Sequence, residues 1–154
     1  MRISTTVNGV DRDLEIDPWE LLVDVLRDRL RLTGTKRSCD VQVCGTCTVL
    51  LEGMAVSSCT TLAVEMDGRT VATVEGFATD DGLSPVQQAF VDHNALQCGY
   101  CTPGFIVTCH ALRHEHPDAD DDVICHYLEG NVCRCTGYTG ILAAARDAVR
   151  TDRD

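Results

Sequence analysis

The chain has 154 residues, room for one ordinary domain or two small ones. Its 13 basic and 24 acidic residues leave a net charge of −11, which argues against a nucleic-acid partner. Apolar residues make up 44% and aromatics only 5%, so the core must be aliphatic, and no run is long and apolar enough to span a membrane.

In chain order, "RISTTVNGVDRDLEI" alternates apolar and polar positions around Asn8–Gly9, a hairpin turn dipeptide. Its start, "MRISTTVNGV", lacks the apolar stretch of an export signal, which points to the cytoplasm. Pro18 opens a helical stretch. Leu21, Leu22, Val25, Leu26 and Arg29 recur at helical spacing, with an end expected near Gly34. "CTVLLEGMAVSSC" reads as a second hairpin turning at Glu52–Gly53, and "TVATVEG" as a further strand. The character changes near Gly76, and "ATDDGLS" reads as a polar linker.

Ser84-Pro85-Val86-Gln87 then has the signature of a helix start, with Ser as N-cap, Pro in the first turn and Gln three residues on. That helix is expected to run toward Leu96. Thr102-Pro103 is read as a second cap pair, with a helix over roughly 103–115 ending before Pro117. "DADDDVICHYLEG" predicts a third helix, acidic at its start and closed by Gly130, and Thr139 a cap for a fourth, "GILAAARDAVR". The fold class is therefore α+β: a small mixed sheet on one helix over residues 1–76, then a helical domain over residues 77–154.

Ten cysteines far exceed ordinary usage and demand a chemical reason. A secreted disulfide scaffold is disfavoured by chain length and by the N-terminal stretch. Cys39, Cys44, Cys47 and Cys59 read C-x4-C-x2-C-x11-C, the plant-type 2Fe-2S spacing rather than the paired spacing of structural zinc. Such a loop places two thiolates on one iron and two on the other. Gly45 and Thr46 are small enough for the backbone to approach the sulfides.

Downstream, Cys98 and Cys101 in "QCGYC" and Cys133 and Cys135 in "NVCRCTGY" form C-x2-C-x31-C-x-C. Either pair alone fits a redox dithiol or half a zinc site. Two pairs beside a plant-type loop argue for a second cluster. Cys101 lies just ahead of a helix start, where the dipole favours a thiolate.

The segments "CDVQVCGTCTV", "SCTTLAV", "TVEGFA", "LQCGYCTPGF" and "GNVCRCTGYTGI" together resemble the iron–sulfur subunit of the molybdenum hydroxylases, the family of xanthine oxidase, aldehyde oxidoreductase and aerobic carbon monoxide dehydrogenase. The resemblance covers nearly the whole chain. It implies a plant-ferredoxin-like (β-grasp) N-terminal domain and a four-helix-bundle-like C-terminal domain, each holding one 2Fe-2S cluster. It implies an FAD-binding medium subunit and a molybdopterin-binding large subunit as partners, assembled as a dimer of heterotrimers, without direct membrane insertion. The chain would then do no bond chemistry itself. It would pass electrons from molybdenum to flavin while the complex hydroxylates a substrate with a water-derived oxygen or oxidises carbon monoxide. The resemblance places the Cys98, Cys101, Cys133 and Cys135 cluster nearer the molybdopterin, with Gln97 and Cys135 contacting the pterin.

This chain departs from the family pattern at Ser38, Val41 and Val43, where glycine is frequent. Valine at both of the latter positions is expected to deny the loop a left-handed residue there and to alter its backbone.

Cys109 and Cys125 fall outside both quartets and read as buried structural thiols. A Rieske-type centre with two histidines is a poor fit when eight placed cysteines are available. His114 and His116 read as solvated at a helix end, the "DADDD" run as a solvated helix start, and Tyr100 and Tyr138 as packing groups. Two other readings remain: a free two-cluster ferredoxin, and a zinc-stabilised interaction module. Co-purification with larger chains separates the first, and iron and acid-labile sulfide the second.

Overall fold

The structure is a computed structural model, and it describes residues 1–151. β1 (Arg2–Val7) and β2 (Val10–Glu15) form the first hairpin. Asn8 and Gly9 both take positive φ, 51° and 76°, so the turn matches the right-handed twist of its strands. β3 (Thr48–Leu51) and β4 (Met54–Ser57) form the second, turning through Glu52 and Gly53 at φ 52° and 81°. β5 (Thr70–Ala72) sits between β1 and β3, giving a mixed sheet of order β2-β1-β5-β3-β4 with β1 and β5 parallel.

The helical stretch after β2 is shorter than the spacing predicts. Leu21 is extended and bridges Leu62, so the helix begins with α1 (Leu22–Asp24) and runs into a π-helical turn, Val25–Arg29. Arg31, left-handed at φ 60°, ends it before Gly34. Ile3, Val7, Leu22, Val25, Leu26, Val49, Met66 and Val71 form the aliphatic core between this helix and the sheet. β5 is also shorter than "TVATVEG". The Asn8 side chain grips Thr73, accepting from its N–H at 2.8 Å and donating to its Oγ1 at 2.9 Å, and Val74–Gly76 becomes a 3₁₀ turn.

Four helices follow: α2 (Pro85–Asp92), α3 (Thr102–Glu115), α4 (Asp121–Leu128) and α5 (Tyr138–Arg150). The expected capping box opens α2. Ser84 Oγ accepts from Gln87 N at 3.3 Å, and Gln87 Oε1 accepts from Ser84 N at 2.9 Å. α2 stops at Asp92, well short of Leu96. Asn94 at φ 47° closes it with two bonds, Ala95 N to Phe90 O at 2.9 Å and Asn94 N to Val91 O at 3.1 Å. Asp120 caps α4 by accepting from Val123 N at 2.9 Å.

Two expected caps are displaced. Cys101 holds the N-cap position of α3 and Gly137 that of α5, so Thr102 and Thr139 lie inside their helices. The four helices share a core of Val86, Phe90, Phe105, Leu112, Ile124, Ile141 and Ala145. Every β3 residue is buried, because α3 covers the face that α1 does not: Leu50 packs on Val107 and Ala111. Among the described residues no helix is long and apolar enough to cross a membrane.

Candidate metal centres

The loop between the π-helical turn and β3 carries Cys39, Cys44 and Cys47, and Cys59 follows β4. The backbone coils around the Cys39 sulfur. The N–H groups of Val41, Val43 and Cys44 point at it, those of Val43 and Cys44 at 3.4 Å each. These donors, Val41 first, bring the Cys39 thiol down to about 6. The coil needs left-handed residues, and it takes them at Asp40 (φ 55°), Gln42 (φ 58°) and Gly45 (φ 66°). Val41 and Val43 stand between these positions, outside the left-handed region, with exposed side chains. The loop therefore keeps its curvature despite the two valines, through the residues beside them.

The four sulfurs meet in pairs. Cys39 interacts with Cys44 at the solvent side, and Cys47 with Cys59 in the buried layer. Cys47 also feels the charge of Cys44, which ties the two pairs into one set. Burial pushes the Cys47 thiol up to about 11, opposed first by the Cys59 N–H, which favours the thiolate, and aided less by the Cys59 side chain.

The second set repeats this arrangement at the ends of helices. Cys98 is exposed and pairs with Cys135, while Cys101 pairs with the buried Cys133 and feels the charge of Cys98. The Tyr100 N–H, then Cys135, lower the Cys98 thiol. Burial and then Cys133 push Cys101 up to about 12, so desolvation outweighs its place at the start of α3. Gly137 N donates to Cys133 Sγ at 3.4 Å, and Tyr138 Oη accepts from Cys133 N at 2.9 Å. Tyr138 also stands edge-on to Phe105, 6.5 Å between centroids, so its role here is packing and backbone support.

Gln97, expected from the resemblance to contact the pterin, lies near this set. Gln97 is exposed, five residues beyond the end of α2, and caps no helix. A Cβ added at Gly137 would sit 3.7 Å from its Nε2 and 3.8 Å from Cys133 Sγ, which places the amide beside the sulfurs. Arg134, between Cys133 and Cys135, is exposed.

The two sets share a wall. Val132 N donates to Cys44 O at 2.9 Å, and the buried Asn131 Nδ2 donates to Gly45 O at 3.1 Å. A Cβ at Gly45 would meet Gly130 O and Asn131 Nδ2 at 2.5 Å, and one at Gly104 in α3 would meet Gly45 O at 2.3 Å. Asn131 and Gly104 escape a reading based on cysteine spacing, although "GNVC" places the asparagine two residues before a thiol.

The remaining candidates stay apart. Cys109 is fully buried in the helical core, and burial alone pushes it up to about 12. Cys125 is only half-buried. His114 and His116 are exposed, with His116 edge-on to Tyr127.

Four thiols in two pairs form a donor set for two irons. The N–H groups aimed at Cys39 and Cys133 suit anionic sulfur. The Thr102 hydroxyl, next to Cys101, is buried without a partner, and an orphan of that kind calls for an acceptor that a sulfide would supply. The residues present fit a 2Fe-2S group in each place.

Comparison with known proteins agrees with the geometry. Residues 5–75 match the 2Fe-2S iron-sulfur cluster binding domain, and residues 73–146 match a second 2Fe-2S binding domain. The chain is 46% identical to the nicotine 6-hydroxylase small subunit of Paenarthrobacter nicotinovorans over 96% of this chain and 89% of that one. It is 44% identical to the nicotinate dehydrogenase small FeS subunit of Eubacterium barkeri, over 96% and 94%. A chain of the crystal structure of quinoline 2-oxidoreductase from Pseudomonas putida 86 superposes with a TM-score of 0.90 at 42% identity, covering 99% of this chain and 98% of that one. Matched along nearly its whole length in sequence and in fold, the chain belongs to the iron–sulfur small subunits of the molybdenum hydroxylase family.

Proposed function

We propose that Cys39, Cys44, Cys47 and Cys59 hold one 2Fe-2S cluster and Cys98, Cys101, Cys133 and Cys135 the other. The chain would then relay electrons from a molybdopterin site to FAD, both in partner subunits. The observation that carries this is the gathering of eight thiols into two paired sets, joined by the bond from Val132 N to Cys44 O. Each cluster, when bound, takes up and passes on one electron at a time.

The chain's own residues prepare both places. Backbone N–H groups face Cys39 and Cys98, which stabilises thiolate on the solvent side of each set. Burial disfavours the thiolate at Cys47 and Cys101, a cost that binding of the group would have to offset. Asn131 and Val132 hold the two loops together. Gln97 and Cys135 would face the pterin: an amide that donates and accepts suits a pterin edge, and a ligand thiolate can accept from its amino group.

We read the chain as two domains, residues 1–76 and 77–154, the second a four-helix bundle of α2–α5. Its partners would be an FAD-binding medium subunit and a molybdopterin-binding large subunit in a dimer of heterotrimers, without nucleic acid or membrane insertion. The cytoplasm suits ten free thiols.

Iron and acid-labile sulfide analysis of the native complex tests the reading. Two clusters require about four of each per chain. Half that content with all eight cysteines intact, or a chain purifying alone as a stable monomer, overturns it.

A further inference from the structure

Tyr100 belongs by sequence to the second set, lying between Cys98 and Cys101. Its side chain leaves that set. The phenol Oη donates to Arg37 O at 2.5 Å, a reach of 63 residues along the chain, to a point just ahead of Cys39. Burial does not hold the ring there, since Tyr100 is 47% exposed. The hydrogen bond is what fixes it.

Arg37 is in turn a hub for the first loop. Its Nε donates to Asp40 Oδ1 at 2.8 Å, and its Nη1 donates to Asp24 Oδ1 of α1. Asp40 and Gln42 are left-handed without being glycine; aspartate enters that region more readily than most residues, whereas glutamine holds it only where its surroundings impose it. Gln42 is restrained by Thr60, whose Oγ1 donates to Gln42 Oε1 at 3.2 Å. Asp40 is restrained by Arg37. These two residues shape the coil whose N–H groups face the Cys39 sulfur. The Arg37 ion pairs are partly exposed, and exposed pairs restrain weakly. A neutral bond to the Arg37 backbone is insensitive to salt and adds the restraint those pairs lack.

We propose that the side chain of Tyr100 is a positioning group for the first centre, acting through Arg37 and Asp40 on the loop around Cys39, while its backbone N–H serves Cys98 in the second. The proposal rests on the assignment of the two cysteine sets above.

The experiment uses the complete complex. The signals of wild type are first assigned with Cys47→Ser and Cys133→Ser; a wild type with a single iron–sulfur signal would defeat the assignment, not the latch. Tyr100→Phe keeps the ring and removes only the donor. The expected result is a changed resonance line shape and a shifted midpoint potential for the Cys47-dependent signal. Iron should also leave that centre to a chelator about threefold to tenfold faster, the worth of one hydrogen bond. The Cys133-dependent signal should stay as in wild type. Asp40→Asn, which weakens the next link, should give the same signature, and the double variant should add little to either single one. Two distinct signals with the first centre unaltered in Tyr100→Phe, or an effect confined to the Cys133-dependent centre, overturns the proposal.

Discussion

The amide of Val132 donates to the carbonyl oxygen of Cys44 at 2.9 Å, so a residue adjoining Cys133 is bonded directly to a cysteine of the other set. The bond is backbone to backbone, and Asn131 reinforces it from a buried position one residue away. The helical half is thereby held at the rim of the first loop, and a bonded route between the sets crosses a single hydrogen bond.

Gly45 is the point in this wall with no room to spare. It is left-handed at φ 66°, and a Cβ there would lie 2.5 Å from Gly130 O, a backbone atom that cannot rotate away. Gly45→Ala is expected to cost about 3 kcal/mol or more, combining the left-handed penalty with overpacking. Gly53→Ala is the control: equally left-handed at φ 81°, it has open space around it and should cost about 1–2 kcal/mol. Thermal unfolding of both variants reads the difference. Equal losses would show that the wall between the loops yields.

Local features of this fold were legible in the sequence because local chemistry makes them. Asn8–Gly9 and Glu52–Gly53 turn where a dipeptide tolerating positive φ stands between alternating strands. Ser84 and Gln87 cap α2 because their side chains reach each other across one turn. The cysteine spacing was legible for a chemical reason, since a loop with three thiols must wrap something. The helix ends were less so. Asn94 and Arg31 stop helices from left-handed conformations in which glycine is the usual signal, and tertiary contacts decide such positions. Thr102 and Thr139 resemble caps in composition, yet the chain enters α3 and α5 one residue or more earlier. The reach of Tyr100 to Arg37 and of Asn131 to Gly45 was hidden, because both contacts join the two halves of the chain.

The two cysteine sets should be separable. Cys47 is buried and paired with Cys59, and Cys133 is buried and paired with Cys101. Cys47→Ser is expected to remove one of two paramagnetic signals of the reduced protein, and Cys133→Ser the other. Loss of both signals from a folded chain carrying only one of these substitutions would mean that the quartets are drawn wrongly.

His110 gives the second half a dependence on acid. Its ring stacks on Phe77 with centroids 3.7 Å apart, and Nε2 lies 3.3 Å from Ser84 Oγ, a partly buried place at the join between linker and α3 where a charge is disfavoured. Burial, helped by the charges of His114 and Arg113, pushes its pKa down from 6.5 to about 4. The unfolded chain therefore takes the proton first. Stability from this group is complete above pH 6.5 and is lost as pH falls toward about 4. Allowing for solvent around the partly exposed ring, the loss is on the order of 2 kcal/mol. His110→Phe keeps a ring for the stack and cannot be protonated. Comparing unfolding temperatures near pH 7.5 and near pH 5, the variant should fall less than wild type. Parallel declines would assign the acid sensitivity to other groups.

Gln97 offers the sharpest test of the proposal that the second set faces molybdenum. It caps nothing, since α2 ends at Asp92, and among the described residues no group is hydrogen-bonded to its amide. The side chain is exposed yet lies beside Gly137 and Cys133, where a surface amide gives the free chain little stability. A free amide beside the second set is therefore better explained by something docked against it than by the fold itself. Gln97→Ala should leave iron content, both reduced signals and assembly unchanged, because it breaks no bond within this chain. Substrate-driven reduction of the clusters should slow by about tenfold, the worth of one well-placed hydrogen bond. Rapid mixing of the complex with substrate follows that step optically, and reduction of the same variant by dithionite, which bypasses the molybdenum site, should keep its wild-type rate. An unchanged substrate-driven rate would show that Gln97 merely fills the surface beside the sulfurs.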